Sequence, residues 1–190
     1  MESQPKIIGV SSAHPAERER IASLISNLAP YKLLDFDKPI LDLVKTLTGS
    51  HFLKNSDAMT SYLGAEWSYI ITEKFIENGQ VTFKSVRYYL TPKQIFTRLK
   101  YEMRTIHSDI WVNAFFNNVN WESSVLSVQY PNQADAIIAR GGVVIRFNDP
   151  ANTSPVSRED ALMDGYSFSH VIDQSAVGWA NELNKILKIH

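Results

Sequence analysis

The sequence predicts an α/β protein, a three-layer sandwich in which a mostly parallel sheet of about five strands is covered by helices on both faces. Three observations carry this expectation. Short apolar, β-branched runs recur at residues 6–10, 31–36, 124–128, 143–147 and 170–172. Stretches with apolar residues at helical spacing lie between them. Buried runs alternating with helices are the pattern of parallel strands joined by helical crossovers.

The elements follow in order. Lys6-Ile7-Ile8-Gly9-Val10 reads as a buried strand. Ile21, Leu24, Ile25 and Leu28 recur at i, i+3, i+4 and i+7, one stripe of a helix whose first turn holds Glu17, Arg18, Glu19 and Arg20. Pro30 ends it. After the strand at 31–36, Pro39 suits the first turn of a helix carrying Ile40, Leu41, Val44 and Leu47, with Gly49 near its end. Residues 58–63 read as helical. Residues 67–76 and 81–90 flank Asn78-Gly79, a hairpin-turn pair. The first flank reads equally as a continued helix, and both readings stand at this point. Thr91-Pro92 reads as an N-cap followed by proline at the first helical position, with Ile95, Phe96, Leu99 and Met103 as the apolar face. A helix is expected at 109–116 and another at 131–140, closed by Gly141-Gly142. Residues 148–167 read as a long loop with two prolines, and 176–189 as a final amphipathic helix.

Composition sets bounds. The 190 residues suffice for one domain with a real core. A net charge of -1 gives no electrostatic reason to expect nucleic acid or an anionic membrane as partner. No apolar run approaches the roughly 20 residues of a membrane span. The polar start, residues 1–6, leads at once into a strand, so no signal peptide is expected. The absence of cysteine excludes disulfides and thiolate chemistry and is compatible with a cytoplasmic location. The histidines stand at 14, 51, 107, 170 and 190 without ligand spacing, so no metal is expected.

Ligands of parallel sheets bind beyond the carboxyl ends of the strands, which directs attention to the loop after Val10. A strand, loop and helix start is the setting of a P-loop, G-x-x-x-x-G-K-[ST]. The register-matched residues here are Ser12-Ala13-His14-Pro15-Ala16-Glu17-Arg18-Glu19. Both glycines are replaced, arginine stands for lysine, and glutamate for the magnesium-binding hydroxyl. Side chains at Ser12 and Glu17 obstruct the curled backbone that cradles phosphate. Pro15 removes a further donor. Two readings result. In one, this is a helix N-terminus with acidic residues near its dipole. In the other, Arg18 and the helix N-terminus still hold a phosphate, with Ser12, His14, Glu17 and Arg20 as the rest of the loop remnant.

Several segments together resemble the phage deoxynucleoside monophosphate kinases, a P-loop kinase family. They are Thr91-Pro92-Lys93-Gln94 with the helix that follows, Ser108-Asp109-Ile110-Trp111-Val112-Asn113-Ala114, Tyr130-Pro131-Asn132-Gln133-Ala134-Asp135-Ala136 and Arg140-Gly141-Gly142-Val143-Val144-Ile145-Arg146. Asp149-Pro150 and Val171-Ile172-Asp173 fall in the same order. The likeness covers both ends and residues 91–190, and 50–90 poorly. It implies a single kinase-like domain over 1–190, with 50–90 as an aromatic-rich insertion or lid. It also implies a P-loop-kinase-like sheet.

The departures fall on the chemistry. The family's Asp-x-Arg at the end of the later strand is Ser127-Val128-Gln129, and a glycine turn is replaced by Leu99-Lys100-Tyr101-Glu102. Phosphoryl transfer depends on positioning and charge neutralisation, so these losses together should abolish it. The resemblance thus implies a catalytically degenerate, pseudokinase-like protein that acts by binding a nucleotide or a host or phage protein, with no cofactor. The alternative is an active kinase with a rebuilt loop, moving the ATP γ-phosphate with magnesium through Arg18, His14 and Arg20. Acceptor-nucleotide candidates are Asp37 and Lys38, with Arg87, Arg98 and Arg104 as a basic wall; turn chemistry and solvated helix faces explain the same residues without function. Asn132 and Asp135 read as capping residues. Trp67, Tyr69, Phe75, Phe83, Tyr88 and Tyr89 are either core or a partner surface, including one between copies of the chain.

Overall fold

The structure, a computed structural model, describes residues 5–28, 30–49, 57–64, 67–78, 80–158 and 160–187. The chain divides into two compact units, Met1–Lys38 with Val112–His190, and Pro39–Trp111.

The first unit is the expected α/β sandwich. Its five strands are β1 (Ile7–Ser12), β2 (Lys32–Leu34), β5 (Ser124–Ser127), β6 (Val143–Asn148) and β7 (His170–Asp173), in the order β2-β5-β1-β6-β7. Every adjacent pair is parallel. Strand β1 is central because its residues are apolar on both faces. Ile8 and Val10 join one buried cluster with Ile21, Ala22 and Ile25 of α1 (Pro15–Leu28) and Leu183 and Leu187 of α6 (Trp179–Leu187). Ile7 joins a second cluster with Val112, Phe115 and Phe116 of α4 (Ile110–Asn118) and Ala134 and Ile137 of α5 (Pro131–Ile138). Helices therefore cover both faces.

Boundaries differ from expectation where hydrogen bonding overrides hydrophobicity. Strand β1 runs on through Ser11 and Ser12, because their backbones pair with Arg146 and Phe147. Strand β2 is only three residues long: Tyr31 leaves the ladder and its hydroxyl donates to the Pro5 carbonyl at 2.9 Å. The loop at 148–167 contains a 3-10 turn, Asp160–Met163. The cap of α5 is Gln133, whose side chain accepts from the backbone N–H of Gln129 and Tyr130 at 2.8 and 3.2 Å. Asp135 instead accepts from the Tyr166 hydroxyl at 2.8 Å.

The second unit holds α2 (Lys38–Thr48) from Pro39 onward, β3 (Ser68–Glu77), β4 (Gln80–Tyr89) and α3 (Pro92–Ile106). Its core is Ile40, Val44, Met59 and Ile95, flanked by Trp67, Leu99 and Trp111. Residues 58–63 do not form a helix. A single 3-10 turn, Asp57–Met59, stands there, and the Thr60 and Ser61 hydroxyls both donate to the Asp57 carbonyl in place of helix continuation. Thr91 caps α3, as the sequence implied, and the structure adds a reciprocal box with Gln94. The choice left open at 67–90 resolves as an antiparallel hairpin, paired from Ser68↔Tyr89 to Glu77↔Gln80. Asn78 has φ 51°, the left-handed value a tight turn needs; Gly79 lies outside the described residues.

Two glycines after α5 do different work. Gly141 ends the helix at φ 74°, and a β-carbon there would meet nothing within 4 Å. Gly142 lies against β1: a β-carbon would stand 2.8 Å from the Ile7 carbonyl oxygen and 2.6 Å from Ile137 Cγ2. The Gly142→Ala protein should therefore lose about 1–3 kcal/mol in urea unfolding, since a backbone oxygen in the central strand cannot retreat.

Tyr166 gives a pH signature. Burial, and then its hydrogen bond to the Asp135 carboxylate, push its phenol up to about 12. The folded protein then holds this proton more tightly than the unfolded chain, whose tyrosines titrate near 10. Its contribution to stability is complete below about pH 10 and is lost as pH rises from there through 12. Tyr166→Phe should flatten that part of the fall in unfolding free energy, measured by denaturant titration from about pH 9 to about pH 12.

Candidate functional site

Parallel pairing brings the carboxyl ends of β1, β5 and β6 side by side, with Val10 opposite both Ser127 and Ile145. This is where a doubly wound sheet holds a ligand. Strand β1 ends at Ser12 and α1 begins at Pro15, so only Ala13 and His14 connect them. The helix closes at once, with Arg18 N–H donating to the His14 carbonyl at 3.0 Å. A P-loop needs a longer excursion to wrap its N–H groups around a phosphate.

Arg18 is the hub of what stands there instead. Its Nε donates to Ser127 Oγ at 2.9 Å, and its Nη1 to the Ser12 carbonyl and to Asp160 Oδ1, both at 3.0 Å. The Arg18 and Asp160 side chains are 6% and 4% exposed. Asp160 Oδ1 also accepts from Gln129 Nε2 at 3.3 Å, and Oδ2 from Ser157 Oγ at 2.6 Å. The position of Asp160 has a local cause. Ser157 accepts from the Asp160 N–H at 3.1 Å, a cap on the 3-10 turn, and Met163 anchors the turn in the core.

Glu17 fills the neighbouring space. Its carboxylate accepts from Ser12 Oγ at 2.5 Å and from Gln174 Nε2. Gln174 Oε1 in turn accepts from Arg20 Nη2 at 2.9 Å. The His14 N–H donates to Ser12 Oγ at 3.3 Å, while its side chain is half-buried. Ser12, Glu17, Arg18, Ser127 and Gln129, picked out in the sequence as loop remnant and lost-motif positions, thus meet in one network. Arg20 reaches it through Gln174.

A second buried guanidinium lies on the opposite face of the sheet. Arg146 donates to Ser11 Oγ at 3.2 Å, to Asn148 Oδ1 at 3.4 Å and to Asp164 Oδ1 at 2.7 Å, and lies 5.6 Å from the Phe168 ring centre. Sequence reasoning missed Asp160, Asp164, Gln174 and this role of Arg146. Ser157-x-x-Asp160 is a capping pattern that marks the turn carrying both aspartates. Nothing comparable marks Gln174 or Arg146.

The acceptor candidates are arranged differently from a wall. Asp37 and Lys38 open α2 through an Asx-type turn, with Asp37 N–H donating to Asp35 Oδ1 at 2.8 Å and Lys38 N–H to the Asp35 carbonyl at 3.0 Å. Arg98 lies 5.7 Å from the Tyr69 ring centre, whereas Arg87 projects from the other face of the hairpin, because adjacent strand positions alternate. Arg104 is half-buried in the last turn of α3, roughly 120° around the helix from Arg98. These three arginines form no common basic surface.

The network is chemically closed. Among the described residues, every buried side-chain nitrogen and oxygen has a hydrogen-bond partner, and no group of three or more His, Cys, Asp or Glu is placed to hold a metal ion. Breaking the pair leaves a buried charge. Asp160→Ala should cost about 3–5 kcal/mol, and Arg18→Met a similar amount. The double variant Arg18→Met with Asp160→Leu should cost far less than the sum, read as a coupling energy from urea unfolding of all four proteins. Additive losses would mean that the pair is not a unit. In comparisons with known proteins, no family model matches the chain and no curated protein matches it.

Proposed function

We propose that the protein is a nucleotide-kinase-like protein whose donor-phosphate loop no longer receives a nucleoside triphosphate, and that it acts by binding a nucleotide or another protein rather than by phosphoryl transfer. The observation that carries this reading is the buried Arg18–Asp160 pair at 3.0 Å, with Glu17 beside it at the start of α1. The cation best placed to meet a phosphate is already neutralised within the chain. Releasing it would leave Asp160 buried and unpaired, at a cost of about 3–5 kcal/mol. A phosphate oxygen about 4 Å from the Glu17 carboxylate would add roughly 4 kcal/mol of repulsion at an effective dielectric of 20.

The resemblance to deoxynucleoside monophosphate kinases supports the kinase-like part of this reading through Tyr130-Pro131-Asn132-Gln133-Ala134-Asp135-Ala136 and its continuation to Arg146. Gln133 caps α5, Gly142 packs on β1 and Ala134 and Ile137 fill the core, so this segment serves the scaffold. The cytoplasm of a phage-infected cell is the setting that the same resemblance proposes.

The test is an ADP-release assay with magnesium, ATP and each deoxynucleoside monophosphate, alongside thermal unfolding with millimolar ATP. No turnover and an unmoved melting temperature are expected, because a ligand that binds the native state alone would raise it. Phosphorylated product formed by the native protein and lost in Arg18→Ala would overturn the proposal in favour of a rebuilt, active loop.

A further inference from the structure

The β3–β4 hairpin has two unlike faces. One carries Tyr69, Ile71, Glu73, Phe75 and Glu77 with their partners Tyr88, Val86, Lys84, Thr82 and Gln80. This face is partly covered: Tyr69, Phe75 and Val86 are half-buried, Tyr69 stacks on Tyr88 at 5.6 Å, and Arg98 of α3 lies against Tyr69. The other face pairs Ile70 with Arg87, Thr72 with Ser85, Lys74 with Phe83 and Ile76 with Val81, and every one of these residues is exposed. Ile70, Ile76 and Phe83 are 58%, 67% and 68% exposed, more than any core role allows. Tyr89 continues this face, and Tyr62 lies beside it at 6.2 Å between ring centres.

Charge is divided as sharply as burial. Both hairpin carboxylates, Glu73 and Glu77, are on the covered face. The open face carries Lys74 and Arg87 and no acidic residue. Apolar and aromatic side chains with arginine, free of carboxylates, match the centre of a protein interface. A hairpin of two strands is also marginal by itself and gains stability when a face is covered. A second copy of the same face would bring two further cations and no carboxylate to complement Lys74 and Arg87. Nucleic acid is less well suited, because stacking needs rings, while Ile70, Ile76 and Val81 are aliphatic and only two cations would meet phosphates.

We propose that the open face of the β3–β4 hairpin docks a segment of a partner protein that presents apolar side chains flanked by aspartate or glutamate. The face runs about 27 Å from Tyr89 to Val81 at roughly 3.4 Å per residue, the length of an eight-residue extended segment. This deepens the binding reading given above, and rests on it only for the partner being a protein. The assay here reads peptide binding and not turnover, so the two fail separately.

The test is selection from a random twelve-residue peptide display library on the immobilised full chain, followed by fluorescence polarisation with the enriched peptides. Enriched peptides should combine apolar residues with carboxylates. Phe83→Ser and Ile76→Thr, at exposed positions, should each weaken binding at least tenfold while leaving the melting temperature in place. Lys74→Glu with Arg87→Glu should turn the selection toward lysine- and arginine-bearing peptides. Failure to enrich, enrichment without acidic residues, or binding that ignores all four substitutions would overturn the proposal. So would displacement of the enriched peptides by a twenty-residue oligothymidine, which would assign the face to single-stranded nucleic acid, or protein mass doubling with concentration and loss of that doubling in Phe83→Ser, which would assign it to a second copy.

Discussion

The carboxyl ends of β1 and β5 are organised by one buried ion pair, Arg18 with Asp160. Two full charges with side chains 6% and 4% exposed persist in a protein interior only when each is saturated by partners. Their requirements fix the surroundings. Ser127 must stand at the end of β5, Ser12 must turn its carbonyl inward at the end of β1, and Ser157 and Gln129 must complete the carboxylate. A guanidinium suits the central position because its fork of donors reaches three groups at once, which an ammonium on a flexible stem does less well.

The same contacts show what Arg18 does at the start of α1: its donors are engaged within the chain, by Ser127, the Ser12 carbonyl and Asp160. Charge count alone would call arginine in place of lysine conservative. What decides is the direction of the charge. With only Ala13 and His14 between strand and helix, the guanidinium faces inward between α1 and the ends of β1 and β5, and an internal carboxylate sits where an external anion would otherwise be attracted. Glu17 then acts as a structural acceptor for Ser12 and Gln174, and favours the positive end of α1 without any ligand.

Much of the layered architecture was legible in the sequence, because it follows from periodicity. Ile7, Ile8 and Val10 read as a buried strand, and Thr91-Pro92 as the opening of a helix, and both are so. What was hidden depended on partners far along the chain. The last two residues of β1 are serines, held in the strand by Arg146 and Phe147. The first flank of the hairpin, 67–76, read equally as strand or continued helix until its pairing with 80–89 is known. At the carboxyl ends of β1 and β5, the two positions that meet were legible as substituted ones, Arg18 and Ser127. Asp160 was not, since it lies 142 residues from Arg18 in a stretch that reads as loop. Gln174 shows the limit of local signals: its side chain links Glu17 and Arg20, and nothing around it in sequence marks this.

The central position of β1 also constrains how the chain is made. Its neighbours in the sheet are β5 and β6, while β2, the next strand to be synthesised, pairs with β5 alone. At the usual pace of about 5–20 residues per second, the roughly 110 residues between Ser12 and Ser124 take on the order of ten seconds to emerge. Throughout that interval Ile7, Ile8 and Val10 have no strand to pair with, and both hydrogen-bonding edges of β1 are open. Helix α1 is available early, and its Ile21 and Ile25 cover one face of the strand but neither edge. In a nascent chain of this topology β1 therefore stays unpaired at both edges until β5 arrives and inserts between the first two strands.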